Sequence, residues 1–571
     1  QAKDKIFNYN FYNSCNCLVE ADCQPPFSIN KEALVIVGVI SKLTNSSFVD
    51  RSYIMRKQVI DGSNVSGFQR TTMISTDGYL NLENNKKINV NKILLEEDAA
   101  RNLDKEAVSK SYILDRLGTP LIELVTDPDI TSPTEAKETA LNIGQLFRLT
   151  GKVKRGLGSI RQDINVSIAN GARVEIKGTQ QLDLIPEIVK REVIRQLNLL
   201  EVKEELKKRQ IKKFNLEEKD ITEIFKTSDS KIIKEAITCS KQIYIFKLEK
   251  LKGILGFQVQ PNRRVGSELS SILKVRTSLK GLFHLDELPN YGITNNDLET
   301  IKNKLNLKEE DSFIMIACKR AEINLVKEIL ESRLNQLLIG IPKETRVVDI
   351  EGNTQYQRPL STESRMYPET DLFYIEYNKN YLLEISKSIP LSLEKRYELY
   401  TTKFNLSKQL AEKMKLDNYA PFFEKKVSEK KINPTTLAVF LLEDLTKIIR
   451  EKLIREEDIT LSKLEEFFSS DFENISKQKL VEAFIYFINN NCSAIDALAI
   501  LNLNSNNNLD IDKIIDETFN ENKEKILELK NRSIGLLMGR VMDKTKGQID
   551  GKIISKTLNI KLEEFLKNKC I

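Results

Sequence analysis

Histidine occurs once in 571 residues, as His284, and tryptophan does not occur at all. A single histidine excludes a His-Glu-x-x-His zinc site and leaves only one candidate member for a Ser-His-Asp triad. No apolar run approaches the roughly 18 residues that a membrane helix needs. The longest, Ala33 to Ile40, reads as a core element. No secretory signal is recognisable, and because the sequence starts at Gln1 a processed or incomplete start stays open. Seven cysteines, an odd number, argue against a disulfide framework and for a cytoplasmic protein. A strong charge bias is lacking too: 88 Lys and Arg against 82 Asp and Glu leave +6, with a pI of 8.6. Nucleic-acid binding is then expected only where basic charge is local. Any catalysis must run on carboxylates, lysine, arginine and a bound cation.

What is present describes a folded chain of several domains. Hydrophobic residues make up 40% and charged residues 30%, with a mean hydropathy of −0.34. The length exceeds one core of about 250–300 residues. Residues 1–200 mix short strand signals with Gly and Asn turns. Tyr53 to Gly67 reads as a strand followed by a loop dense in turn formers. A helix is expected from Ser132 as N-cap, Pro133 at its first position and Glu135 completing a capping box, with Gly151 ending it. Residues 200–240 read as helical, with Lys207-Lys208-Arg209 on a solvated face. A compact α/β texture follows over 253–341. Helical patterns dominate from about Leu391, and the Asn-rich stretch 502–508 reads as a linker to a basic tail.

A hairpin carries the clearest chemical pattern. Ile160, Ile164, Val166 and Ile168 alternate with Arg161, Asp163, Asn165 and Ser167 at period two. Beyond Asn170-Gly171, Val174 and Ile176 alternate with Arg173, Glu175 and Lys177. A two-residue turn would mix the faces, so a three-residue loop is expected. It gathers Arg161, Asp163, Asn165, Glu175 and Lys177 on one side. Glu123 interrupts the apolar run from Leu121 to Val125, and a carboxylate there faces solvent, a partner or a cation. Carboxylates on neighbouring strands suit Mg²⁺, with water and phosphate oxygens completing its shell. On their own, Glu96-Glu97-Asp98 read as a solvated turn or a helix start. Cys15, Cys17 and Cys23 offer zinc three thiols and no nearby fourth ligand, so bystander thiols are expected; His284 reads as structural.

Six segments go further: Arg56 to Thr71 (RKQVIDGSNVSGFQRT), Leu95 to Ala100 (LEEDAA), Gly118 to Glu123 (GTPLIE), Gly158 to Ser167 (GSIRQDINVS), Val174 to Gly178 (VEIKG) and Arg365 to Asp371 (RMYPETD). In this order they resemble the GatB/GatE family, and within it the E-type chains of archaeal glutamyl-tRNA(Gln) amidotransferases. The likeness covers essentially the whole chain. Gly253 to Gln260, Arg263 to Gly266 and Asp286 to Ile293 resemble an insertion shared with bacterial-type aspartyl-tRNA synthetases, which B-type chains lack.

The resemblance implies an α+β fold: a mixed-sheet catalytic cradle over 1–254, an inserted α/β domain of the aspartyl-tRNA synthetase type over 255–341, and cradle completion over 342–385. An all-α helical domain over 386–505 and a tail contacting tRNA over 506–571 complete it. It implies ATP-dependent phosphorylation of the glutamate side chain on Glu-tRNA(Gln), then amidation with ammonia from an asparaginase-like D-type partner (GatD), in a heterodimer or a dimer of heterodimers. Glu96 and Glu123 match the family's Mg²⁺ glutamates. Arg161, Asp163, Asn165, Glu175 and Lys177 match the catalytic strands, and Asp61, Ser63, Asn64, Gln69 and Arg70 match the cradle loop, where ATP is expected. One departure stands out. The family opens with a Gly-x-Glu-x-His segment, whereas here the likeness starts near Cys17-Leu18-Val19-Glu20 and no histidine precedes His284. Those two ligands are expected from outside this sequence. The alternatives are a B-type chain, against which the insertion speaks, and a non-catalytic tRNA-binding scaffold, against which the intact carboxylates speak.

Overall fold

A computed structural model describes residues 6–105, 109–154, 156, 158–226, 228, 230–360, 365–430, 432–470, 472, 475, 477–500, 511–545 and 551–567. The Asn-rich stretch and Lys546 lie outside them. The chain divides into two compact units, one of residues 1–146 with 154–389 and one of 147–153 with 390–571. The fold is mixed α/β with a helical C-terminal region, as expected at that level.

The first unit is built on a six-stranded sheet. Its strands run in the order Met366–Pro368, Ile54–Gln58, Phe68–Asn81, Lys87–Glu97 and Pro120–Thr126, with Ser47–Phe48 also pairing on Phe68–Asn81. Ile74, Ile88, Val90, Ile93 and Leu95 are buried. The run Ala33 to Ile40 lies in the helix Lys31–Leu43, which packs on this sheet, and the Asn30 side chain caps it by accepting from Ala33 N.

The helix Pro133–Leu149 begins where expected, with Ser132 Oγ accepting from Glu135 N. The return half of the capping box goes elsewhere. Glu135 takes the Thr131 N–H at 2.8 Å and pairs with Lys86 at 2.8 Å. These contacts hold its carboxyl down to about 2.

A second sheet joins Gln162–Val166, Val174–Thr179, Glu344–Val348 and Thr354–Pro359 in that order. The hairpin keeps the face-separating register, Asn165 opposite Glu175 and Ile164 opposite Ile176. Its connection is longer than the expected three residues, because pairing stops at Val166 and Val174 and Asn170 takes a left-handed turn at φ 61°.

A third sheet pairs Gln242–Leu248 with Ser312–Cys318 along their full lengths, flanked by Glu218–Asp220 and Phe283–His284. The α/β texture therefore begins well before residue 253. Residues 200–240 are only partly helical: the helix Ile185–Lys208 ends and a strand and shorter helices follow. Lys207 and Lys208 are solvated, but Arg209 turns in to donate to the carbonyls of Lys250 and Lys252. His284 is buried at the edge of this sheet, and burial holds its imidazole below the ordinary range.

The second unit is helical. One core centres on Phe423, Phe440, Phe467, Phe468 and Phe484, with edge-to-face ring contacts. A separate core joins Ile515, Ile526, Leu537, Val541, Ile554 and Leu558 of the last helices. No helix among the described residues is long and apolar enough to cross a membrane.

Candidate catalytic site

Strand alternation decides which side chains meet. Lys57 pairs with Gln69, Thr71 with Glu96, Glu96 with Leu121 and Leu94 with Glu123. Residues two apart share a face, so Lys57, Gln69, Glu96 and Glu123 project from the same side of the sheet. Lys57 Nζ lies 3.1 Å from Glu96 Oε1, and the Gln69 amide donates to Glu96 Oε2 at 3.3 Å. Glu96 is 9% exposed and Asp98 6%, which overturns the reading of Glu96-Glu97-Asp98 as a solvated turn. Glu96 and Glu97 end a buried strand, and Asp98 is fixed by Arg161 at 2.6 Å and Arg116 at 3.4 Å.

Glu123 is displaced from its ordinary range. It keeps solvent on one side and is crowded on the other. Loss of solvent raises its carboxyl above the ordinary range, and the adjacent Glu96 carboxyl, in hydrogen-bond contact, raises it further. Lys57 opposes the shift, while Asp163 adds to it. The hairpin is tied to this region by Arg161, whose guanidinium holds Asp98 at 2.6 Å.

On the hairpin, Lys177 bridges Asp163 and Glu175, reaching Glu175 Oε1 at 2.7 Å. Burial alone would lower the Lys177 ammonium, but the two carboxylates more than offset it and hold it raised. Burial would likewise raise Glu175; Lys177, the Thr345 hydroxyl at 2.9 Å and Arg358 hold it below the ordinary range instead. Asn165 stands exposed, directly across from Glu175.

The loop between Gln58 and Phe68 is locked by Asp61, whose Oδ1 accepts from Ser63 N at 3.0 Å and Ser63 Oγ at 2.7 Å. Ser63 O accepts from Ala100 N, tying the loop to the turn that carries Asp98. Asn64 is buried with Oδ1 lacking a partner among the described residues. Arg70 departs from the group. It neighbours Gln69 on one strand, so it points to the reverse face, where its guanidinium grips Glu97 and the Phe27 carbonyl. Residue-by-residue reading of the sequence passes over Lys57 and Thr345 and misplaces Asp98. Alternation from Gln69 and Glu96 is the signal that finds Lys57.

Among the described residues no group of three or more His, Cys, Asp or Glu is arranged to hold a metal ion. Cys15, Cys17 and Cys23 are free and exposed, as expected for bystanders. What this face offers a hard cation is a carboxylate pair, held in contact despite its mutual repulsion.

All these groups fall within residues 7–383, which match the GatB/GatE catalytic domain. The chain belongs to the GatB/GatE family. Residues 421–562 match the family's GatB domain and span most of both helical cores of the second unit. Among relatives in the family, the GatE-type chain of glutamyl-tRNA(Gln) amidotransferase from Methanocaldococcus jannaschii is 42% identical over 571 residues, covering 99% of this chain and 90% of that protein. The proteins of the same name from Methanococcus maripaludis and Saccharolobus solfataricus are 41% and 40% identical, each covering at least 98% of this chain and 89% of their own length.

Proposed function

We propose that this chain is the E-type component of a tRNA-dependent amidotransferase that converts Glu-tRNA(Gln) to Gln-tRNA(Gln). ATP phosphorylates the glutamate side chain, and ammonia displaces phosphate. An asparaginase-like D-type partner releases the ammonia from glutamine. The observation that carries this reading is the pair Glu96 and Glu123, set in contact, with Asp163 near enough to act on Glu123 and itself paired with Lys177. Phosphoryl transfer needs positioning and charge neutralisation more than a protein nucleophile, and this face carries no histidine.

Glu96 and Glu123 would hold Mg²⁺, whose remaining positions fall to water and phosphate oxygens. When bound, the ion supplies neutralisation of phosphate charge. The chain's own groups do the rest. Lys177 keeps its proton and offers fixed positive charge, with Asp163 and Glu175 fixing the direction of its N–H groups. Arg161, anchored on Asp98, sets the start of the same strand. Asn165 offers an uncharged amide beside them. Ser63, Asn64 and Gln69 are read as nucleotide contacts through their backbone and amide groups. Residues 255–341 are read as the insertion separating E-type from B-type chains, and the C-terminal helices as the part gripping tRNA.

The test is reconstitution of this chain with a polypeptide supplying the Gly-x-Glu-x-His segment, a D-type glutaminase, ATP, Mg²⁺ and Glu-tRNA(Gln), following labelled phosphate and Gln-tRNA(Gln). ATP turnover that depends on Glu-tRNA, with amide formation, is the expected result. Binding of tRNA with no phosphoryl transfer would favour a scaffold instead.

A further inference from the structure

Behind the hairpin lies a cluster of charge that the chemistry above does not use. Arg195, Arg333 and Arg346 and the carboxylates Glu192, Glu268 and Glu344 are all buried, three charges of each sign. Arg346 donates to Glu268, Glu344 and both oxygens of Thr354. Glu268 accepts from Arg333 at 3.0 Å and from Arg346 at 2.6 Å and 3.0 Å. Burial alone would raise Glu268; Arg346, Arg195 and Arg333 hold it far below the carboxylate range. The groups come from the helices Ile185–Lys208, Val265–Arg276 and Ile323–Ile339 and the strand Glu344–Val348.

That strand has two faces. Glu344 and Arg346 enter the cluster, so Thr345 between them points the other way. Parallel pairing sets Thr345 beside Glu175 and Arg346 beside Ile176. Thr345 is fully buried, and its hydroxyl donates to Glu175 Oε2 at 2.9 Å while Oε1 receives Lys177 at 2.7 Å. The carboxylate is thus held at both oxygens, one by the site's lysine and one by a strand fixed from beneath.

We propose that Thr345 is a positioning residue for Glu175, held in register by the buried Glu268–Arg346 pair, and that it sets the direction of the Lys177 ammonium. The proposal rests on the reading of Glu175 and Lys177 as site residues. A hydroxyl bonding an ionised carboxylate favours the ionised form, so its removal raises the Glu175 pKa. It also frees the carboxylate to rotate.

Two variants test this. Thr345→Val keeps the branched shape and removes the donor; Thr345→Ser keeps the donor. In the reconstituted complex, Thr345→Val is expected to lower kcat about ten-fold, as a lost hydrogen bond to a charged group does. KM for Glu-tRNA should change less than about two-fold. The acid limb of the kcat profile should move to higher pH, and Thr345→Ser should restore both. A second readout needs no activity: carbodiimide labelling of Glu175 on the full chain, followed by peptide mass spectrometry. Carbodiimide reacts through the protonated carboxyl, so Glu175 should label faster in Thr345→Val at mildly acid pH and at the wild-type rate in Thr345→Ser. Equal labelling in all three proteins overturns the proposal. Altered labelling in Thr345→Val, alongside a wild-type complex that makes no Gln-tRNA, sustains the positioning role and overturns the functional reading.

Discussion

Glu96 and Glu123 stand on neighbouring strands with their carboxyl groups in hydrogen-bond contact, and Glu123 is held above its ordinary range by loss of solvent and by Glu96. Two adjacent carboxylates of which one resists ionisation form a site that a cation stabilises and a proton can substitute. Glu123→Gln should therefore abolish ATP-dependent phosphorylation of Glu-tRNA, by about 100-fold or more, since a lost cation ligand costs several kcal/mol. Affinity for tRNA should hold. Filter binding and single-turnover phosphate transfer check this, and wild-type turnover would remove Glu123 from the metal assignment.

The same pair fixes a pH dependence. A raised folded-state pKa makes Glu123 contribute stability below its unfolded value, and that contribution is lost as pH rises through the folded value. A divalent cation must displace the shared proton, so its binding strengthens over the same interval. Mg²⁺ should raise the melting temperature more at about pH 8 than at about pH 5, and Glu123→Gln should flatten the difference. A shift of equal size at both pH values would argue against binding at the pair.

Much of this face is legible in the sequence, and the failures have physical causes. Alternation over Ile160 to Lys177 separates polar from apolar positions, and the observed pairing of Asn165 with Glu175 keeps them apart. The length of the connection is not legible, because pairing ends where backbone groups find other partners, and the residue pattern does not encode that point. The acidic run at Glu96 to Asp98 reads as solvated because its partners, Lys57, Arg70 and Arg161, come from distant segments. Motif likeness groups Arg70 with Gln69, although consecutive strand positions cannot serve one face. The buried cluster around Glu268 is hidden for a related reason. Each member taken singly looks like a surface charge on an amphipathic element, and only tertiary packing gathers three arginines around it.

That cluster makes its own prediction. Glu268→Gln leaves three buried arginines with two carboxylates, and an uncompensated buried charge costs about 3–5 kcal/mol. Glu268 and Glu344 lie below the usual carboxylate range, because their arginines outweigh the burial that would raise them. Their contribution is complete above the unfolded-state value near about pH 4.3 and is lost as pH falls through the folded values. Urea unfolding of the full chain at neutral pH should show the loss, and the variant should be less sensitive to acid than wild type. Replacement of Lys302, whose partner Glu299 is 63% exposed, should change stability by less than about 1 kcal/mol.

The last prediction concerns the C-terminal helices. Arg532, Arg540 and Lys556 belong to the helical segment after residue 511; the two arginines are exposed, whereas Lys544 there is already paired with Glu521 at 2.8 Å. If this segment grips the phosphate backbone, each lost contact removes one released counterion and flattens the salt dependence of binding. The double variant Arg532→Ala with Arg540→Ala should weaken tRNA binding and reduce the slope of log K against log salt by up to about 2. Phosphoryl transfer on saturating Glu-tRNA should survive, because Glu96, Glu123 and Lys177 belong to the other compact unit. Lys544→Ala should have the smaller effect, its charge being partly neutralised by Glu521. An unchanged affinity and salt slope in the double variant would assign these helices a structural role and move the tRNA grip elsewhere on the chain.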